Sequence, residues 1–170
     1  YPLKMHVFNR ARLIKNSKNR IPYGVDLIQK YRRESWIVFT ENKKQAKEFH
    51  KIINKKGFKS ALYNTDLDSG ERLENLNKFK KADLNVLVTC TALDEGFDMP
   101  EADGALILSA SSSKRQRVQR MGRVLRITEN KPNALIVTVY SSKTEFDKLM
   151  EEAKRYHKEG VPVSWKRQDR

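Results

Sequence analysis

Five short runs of apolar residues, separated by segments with helical periodicity, constrain the fold of this chain more than any other feature. They are residues 36–40, 60–63, 85–89, 105–109 and 134–140. Most of the runs are continuous rather than alternating, which is typical of strands buried on both faces of a parallel sheet. Strands that alternate with helices at this spacing form right-handed β–α–β units. The predicted fold class is therefore α/β, with a mostly parallel sheet flanked by helices on both faces.

Helical segments are predicted beside and between these runs. The predicted helices are residues 22–30, 42–56, 69–80, 116–126 and 144–157. Gly57 is placed to end the second helix, and Ser69 is placed to cap the third. Leu73, Leu76 and Phe79 lie three residues apart and form the predicted apolar stripe of the third helix.

The chain divides into three predicted parts: a helical lead-in over residues 1–34 packed on the domain, a domain over residues 35–157, and a tail over residues 158–170. A length of 170 residues corresponds to about one domain. The first residue is Tyr1 rather than Met. We therefore expect the chain to be an excised piece of a longer protein.

Charge and composition narrow the class of partner. The net charge is +14, which makes polyanions the first partners to consider, although a merely soluble basic protein is the alternative. No apolar run approaches the ~20 residues of a spanning helix, and no signal peptide is evident. These features predict a protein of the cytoplasm (nucleoid) or nucleus, not secreted and not in a membrane. The single cysteine and three scattered histidines predict no disulfide framework and no metal site.

The densest cluster of positive charge is the segment 114–126, which contains no acidic residue. On a helix, Gln119, Arg123 and Arg126 lie four and three residues apart and share a face. Gly122 permits close approach of another backbone or of a phosphate. Several planar guanidinium groups on one face suit a phosphate chain. Taken alone, the segment could also be a solvated basic helix that binds phosphate backbones.

A second cluster of polar residues follows the buried run that ends at Thr89. Cys90 and Thr91 come directly after it, and Gly96 and Asp98 follow within the same segment. The carboxyl edge of a parallel sheet is where α/β domains bind ligands. Gly96 allows a tight turn before Asp98. The alternatives are a buried small residue for Cys90 and a turn-stabilising carboxylate for Asp98.

Together these segments resemble superfamily 2 helicases. Residues 119–126 match all four positions of motif VI, Gln-x-x-Gly-Arg-x-x-Arg, while residues 86–100 resemble motif V and residues 36–40 are similar to motif IV. Within the superfamily the chain looks most like XPB-type repair helicases and related phage and restriction-type DNA translocases. The resemblance implies that residues 35–157 are the second, C-terminal RecA-like motor domain of an ATP-dependent DNA helicase or translocase.

The resemblance also implies a role for each matching residue on the ATP side. Arg123 and Arg126 would be arginine fingers at the terminal phosphates of ATP, an effect worth roughly 10³ to 10⁵ in rate. Gln119 would order the same cleft, and Asp98 would lie near the ribose. Gly96 and Gly122 complete the predicted nucleotide-binding set.

Four other residues are expected to contact the nucleic-acid backbone, and they are Thr40, Cys90, Thr91 and Arg72. Many relatives have threonine where this chain has Cys90, and a thiol is the weaker donor. For Arg72 a structural ion pair is the alternative. The end of the run at Thr40 could contact phosphates directly or through the N-terminus of the following helix.

The sequence lacks the Gly-x-x-x-x-Gly-Lys-Ser/Thr phosphate loop. It also lacks an Asp-Glu pair after an apolar strand. ATP with Mg is therefore expected to be bound mainly by an N-terminal RecA-like domain of the parent chain, and the isolated chain is expected to be inactive. The expected partners are that domain and a nucleic acid, with DNA favoured over RNA. The alternative function is a non-catalytic, basic nucleic-acid-binding module on a helicase-like scaffold.

Overall fold

The computed structural model describes residues 19–90, 101–108, 134–158 and 162–165. In these residues strands and helices alternate as the apolar runs predict. The elements are α1 (Arg20–Tyr31), β1 (Trp36–Phe39), α2 (Lys43–Lys55), β2 (Ser60–Tyr63), α3 (Ser69–Lys80), β3 (Val86–Thr89), β4 (Gly104–Ile107), β5 (Leu135–Thr138) and α4 (Lys143–Lys158). The predicted helix over 116–126 lies outside the described residues.

The five strands form one sheet in the order β2-β3-β1-β4-β5, and every neighbouring pair is parallel. This confirms the predicted α/β fold with a parallel sheet. The chain places β3 on one side of β1 and β4 on the other. The connection from β1 to β2 therefore runs in one direction, whereas the connection from β3 to β4 runs past β1 in the opposite direction. In such sheets ligands bind beyond the carboxyl ends of the strands, where the direction of the connections changes.

Burial along the strands explains why their sequences are continuously apolar. All four residues of β1, β3 and β4 are buried, because these strands lie inside the described sheet and are covered on both faces. The outer strands β2 and β5 are only partly buried. Each fully buried large apolar side chain contributes roughly 1.5–3 kcal/mol relative to its exposed state.

The core has one layer on each face of the sheet. On one face Ile28 of α1 and Phe49 of α2 pack with Trp36. On the other face Leu76 and Phe79 of α3 pack with strand residues. Helices therefore cover both faces, as predicted.

A close approach between β1 and β4 fixes the position of the Trp36 indole. Gly104 lies opposite Trp36 in the parallel register. A Cβ atom at Gly104 would come within 2.6 Å of an indole carbon. Since Trp36 is fully buried, only glycine leaves room for it at this position.

Two predictions for α3 are wrong. The N-cap is Asp68 rather than Ser69, because the Asp68 side chain accepts a hydrogen bond from the backbone N–H of Glu71 at 2.8 Å. A carboxylate there also interacts favourably with the helix dipole. Leu73 is 58% exposed. Residues three apart turn by about 300° on a helix, so a three-residue stripe drifts away from the buried face.

The predicted end of α2 is confirmed. Gly57 has a φ of +87°, which is the left-handed conformation that glycine adopts after a helix. At the other end Asn42 caps the helix, and its side chain accepts a hydrogen bond from the backbone N–H of Gln45 at 2.9 Å. None of the helices in the described ranges has the length and apolar character needed to cross a membrane.

Candidate nucleic-acid interface

The site residues predicted from the sequence divide into two groups. Thr40, Arg72 and Cys90 are described by the structure. The others lie outside the described residues, and they are Thr91, Gly96, Asp98, Gln119, Gly122, Arg123 and Arg126. Their placement and roles therefore stay predictions.

Thr40 and Cys90 lie side by side at the carboxyl edge of the sheet. Each residue directly follows its strand, and β1 and β3 are parallel neighbours with Phe39 opposite Thr89. The backbone N–H of Thr40 donates to the Thr89 carbonyl at 2.9 Å. Both predicted contact residues are buried, and the Thr40 hydroxyl lies 3.2 Å from the carbonyl oxygens of Asn42 and Thr89. The Thr40 side chain thus ties the end of β1 to the end of β3.

A third strand end at this edge was missed by the sequence reasoning. Asn64 directly follows β2 and is fully buried. Its Oδ1 accepts a hydrogen bond from the backbone N–H of Asp66 at 2.9 Å, but its Nδ2 has no hydrogen-bond partner among the described residues. Within the same part of the chain, the hydroxyl of Thr89 in the neighbouring strand also lacks a partner. The sequence did contain a signal for this residue, because Asn64 is the polar residue directly after the apolar residues 60–63, just as Thr40 is the polar residue directly after 36–39.

Unpaired buried polar groups are unfavourable, at about 1–3 kcal/mol each. Two such groups occur at adjacent strand ends here, Asn64 Nδ2 and Thr89 Oγ1. The Asn64 amide can donate two hydrogen bonds and the Thr89 hydroxyl can donate one. Both residues are buried, so these donors lie beneath the surface of the edge, beside Thr40 and Cys90.

Arg72 lies in the first turn of α3, the helix that follows β2, and therefore near the carboxyl edge of the sheet. Burial raises the pKa of Tyr63, and the positive charge of Arg72 opposes that shift. The charge of Arg72 therefore acts on the Tyr63 hydroxyl at the end of β2. Among the described residues no salt bridge involves Arg72. The alternative of a structural ion pair has no support in this part of the chain.

The loop after β2 is tied to the start of α2 by charge. Asp66 forms ion pairs with Lys43 and with Lys47, the latter at 3.3 Å. Hydrogen bonds from Lys43 and Lys47 hold the pKa of Asp66 below its ordinary value. This contact keeps the N-terminus of α2 beside the ends of β1 and β2.

Arg20 is a second residue that the sequence reasoning missed. It begins α1 and is 2% exposed. Its guanidinium donates to the carbonyl oxygens of Leu108 at 2.7 Å and Val139 at 3.0 Å. It also donates to the Ser141 hydroxyl at 2.6 Å and forms an ion pair with Glu145 of α4. The sequence showed it only as the last residue of a basic, polar stretch.

The partners of Arg20 lie at the ends of two adjacent strands. Leu108 directly follows β4, and Val139 directly follows β5. The chain between them includes the residues that match motif VI. Arg20 therefore holds the carboxyl ends of the adjacent strands β4 and β5 together.

Among the described residues, no group of three or more His, Cys, Asp or Glu side chains could hold a metal ion. The described side chains at this edge are the Asn64 amide, the Thr40 and Thr89 hydroxyls, the Cys90 thiol and the nearby guanidinium of Arg72. Such groups bind phosphates by hydrogen bonds and charge rather than by metal coordination.

Comparison with known proteins gives a consistent result. Residues 19–128 match the family model described as "Helicase conserved C-terminal domain". The chain is 34% identical over 129 residues to the DNA 3′-5′ translocase XPB2 of Sulfurisphaera tokodaii, covering 76% of this chain and 28% of the relative. It is 30% identical over 125 residues to the UvrABC system protein B of Fusobacterium nucleatum, covering 69% of this chain and 19% of that protein.

Among solved structures, the chain is similar to the C-terminal domain of the DEAD-box protein Dbp5. The TM-score is 0.71 at 21% sequence identity, and the match covers 85% of this chain and 82% of that chain. A likeness at this identity supports the fold alone. Because the chain spans less than a third of the two curated relatives, the activity of a whole parent protein does not follow from these matches.

Proposed function

Because the chain belongs to the helicase C-terminal domain family, we propose that it is the second motor domain of an ATP-dependent DNA helicase or translocase. The observation that carries this proposal is the carboxyl edge of the sheet. There the ends of three adjacent parallel strands place Thr40, Asn64 and Cys90 together. This is the edge at which α/β domains bind their ligands.

The nucleic-acid backbone is the ligand that we assign to this edge. Thr40, Cys90 and Thr91 contact phosphates along one strand, and Arg72 adds a positive charge from α3. The net charge of +14 supports this assignment, because it makes polyanions the first partners to consider. Contacts of this kind bind without regard to base sequence and weaken as salt rises.

The ATP side of the proposal concerns the residues of motifs V and VI. Arg123 and Arg126 act as arginine fingers, Gln119 orders the cleft, and Gly96, Asp98 and Gly122 border the nucleotide. ATP with Mg is held mainly by an N-terminal RecA-like domain of the parent chain. Closure of the two domains around ATP moves the nucleic-acid contacts, and hydrolysis releases them.

DNA is the substrate that we favour. The relative from Sulfurisphaera tokodaii carries the name of a DNA translocase and covers 76% of this chain. The resemblance to XPB-type helicases rests on the same stretch of sequence. RNA is the alternative substrate, and a direct comparison of DNA with RNA distinguishes the two.

The test is ATP hydrolysis by the two-domain parent protein, measured alone, with DNA and with RNA, beside the isolated 170-residue chain. We expect DNA to stimulate the parent more than RNA does, and the isolated chain to show no turnover. A parent protein that binds DNA without any stimulated hydrolysis would instead support a basic binding module without an ATP role. Stimulation by RNA alone would refute the choice of DNA.

A further inference from the structure

The helix α2 carries a larger net positive charge than the other described helices. It carries five lysines and one glutamate. In α3 three basic residues stand beside two acidic ones, and in α4 five lysine and arginine residues stand beside four acidic ones. The surface of α2 is therefore nearly one-signed, whereas the surfaces of α3 and α4 are mixed.

Four of these lysines follow one another along the outer face of α2. Lys44, Lys47, Lys51 and Lys55 are spaced by three, four and four residues, and all four are exposed. At 1.5 Å per residue they span about 16 Å. We call these four residues the α2 lysine ridge. The one acid of the helix, Glu48, lies among them.

Only one of the four ridge lysines forms a salt bridge within the described part of the chain. Lys47 pairs with Asp66 at 3.3 Å. In the described ranges no salt bridge involves the other three ridge lysines, which are Lys44, Lys51 and Lys55. Like charges one helical turn apart destabilise a helix. The ridge therefore opposes the stability of α2, and an anionic ligand along it would remove that repulsion.

The position and length of the ridge suit a phosphate backbone. It begins at the N-terminal turn of α2, four residues after Thr40, and runs along the helix away from the carboxyl edge of the sheet. Phosphates of one DNA strand follow each other at about 3.4 Å along the helix axis, so about 16 Å corresponds to about five phosphates. Lysines on flexible stems bind such a backbone as point charges, without reading its sequence.

We propose that the α2 lysine ridge binds the phosphate backbone of DNA beyond the carboxyl edge of the sheet and so lengthens the DNA-binding surface. This inference rests on the proposed function, because it assumes that DNA lies at that edge. The ridge would contribute affinity and salt dependence, and no base preference.

The test compares two variants with the same loss of charge. The ridge variant is Lys44→Gln, Lys51→Gln and Lys55→Gln together. The control is Lys143→Gln, Lys148→Gln and Lys158→Gln, three exposed lysines of α4. Binding of each 170-residue protein to a fluorescent DNA duplex with a single-stranded tail is measured by anisotropy between about 50 and 200 mM salt. Circular dichroism melting confirms that each variant remains folded.

We expect the slope of log affinity against log salt to become shallower by about 2.7 in the ridge variant, at about 0.9 for each lost contact. The α4 control should change the slope by less than about 0.9. If wild-type protein binds DNA and the two variants have equal slopes, the ridge is only solvated charge and the inference fails alone. If wild-type protein does not bind DNA at any salt concentration, the proposed function fails with it.

Anionic phospholipid is the alternative polyanion that the ridge could bind, and vesicles of it are tested in a separate binding measurement. We expect the ridge substitutions to weaken DNA binding more than vesicle binding. Loss of vesicle binding with unchanged DNA binding would overturn the assignment of the ridge to DNA.

Discussion

Replacement of Arg20 by methionine should destabilise the protein by about 3–5 kcal/mol, the typical effect of removing one partner from a buried ion pair. The Arg20 side chain is 1% exposed and that of Glu145 is 12% exposed. The substitution leaves the Glu145 carboxylate without its buried partner. It also removes donors from the carbonyls of Leu108 and Val139. The free energy of unfolding of a small domain is roughly 5–15 kcal/mol, so this loss is a large fraction of the total stability.

The assay is equilibrium unfolding of the 170-residue chain in urea. We expect the midpoint to fall with little change in the slope m, because the exposed surface on unfolding is the same. Glu145→Gln keeps an acceptor for the Ser141 amide, which lies 2.8 Å from the carboxylate, and removes only the charge. The double variant Arg20→Met with Glu145→Gln should be less destabilised than the sum of the two single variants, because the two residues interact directly. A loss below about 1 kcal/mol for Arg20→Met would refute the reasoning.

Three further predictions concern single positions. Gly104→Ala should lower the free energy of unfolding by about 1–3 kcal/mol, since a Cβ there overlaps the buried Trp36 indole. Thermal melting measures this loss, with Gly70→Ala as the control. Asp68→Ala should cost about 1 kcal/mol in urea unfolding through loss of the α3 cap, and Asp68→Asn should restore most of it. Burial lowers the pKa of His50 from its ordinary 6.5. The unfolded chain then binds the proton first, so stability should fall as pH drops from about 6.5 towards the lowered pKa. His50→Gln should flatten this decrease; an unchanged pH profile would contradict the contribution of His50.

The parallel sheet was predictable because of where its inner strands lie. Strands covered on both faces need apolar residues at every position, and Trp36–Phe39 and Val86–Thr89 show that requirement directly. Their polar successors had to meet at one edge, because parallel strands end on the same side. Thr40 and Cys90 are accordingly neighbours at that edge, while their phosphate contacts stay predictions.

Other features depend on three-dimensional contacts that leave no local signal. The partners of Arg20 lie 88 to 125 residues away, and two of them are backbone carbonyls whose position no side chain reveals. The predicted apolar stripe on α3 was wrong for a geometric reason. Residues spaced strictly by three turn progressively away from the buried face of a helix, and Leu73 is therefore exposed. The lysines of α2 were visible in the sequence, but their exposure, and the lack of a described salt bridge at Lys44, Lys51 and Lys55, required the fold.

The most direct test of the central claim is DNA-stimulated ATP turnover by the parent two-domain protein carrying Arg126→Ala, measured beside its DNA affinity. Arg117→Ala is the matched control, since Arg117 lies in the same basic segment but outside the four motif VI positions. We expect Arg126→Ala to reduce turnover by roughly 10³ to 10⁵ while DNA affinity stays close to that of the wild type. Normal turnover with weakened DNA binding would show that Arg126 acts on the nucleic acid, and the assignment of an arginine finger would be wrong.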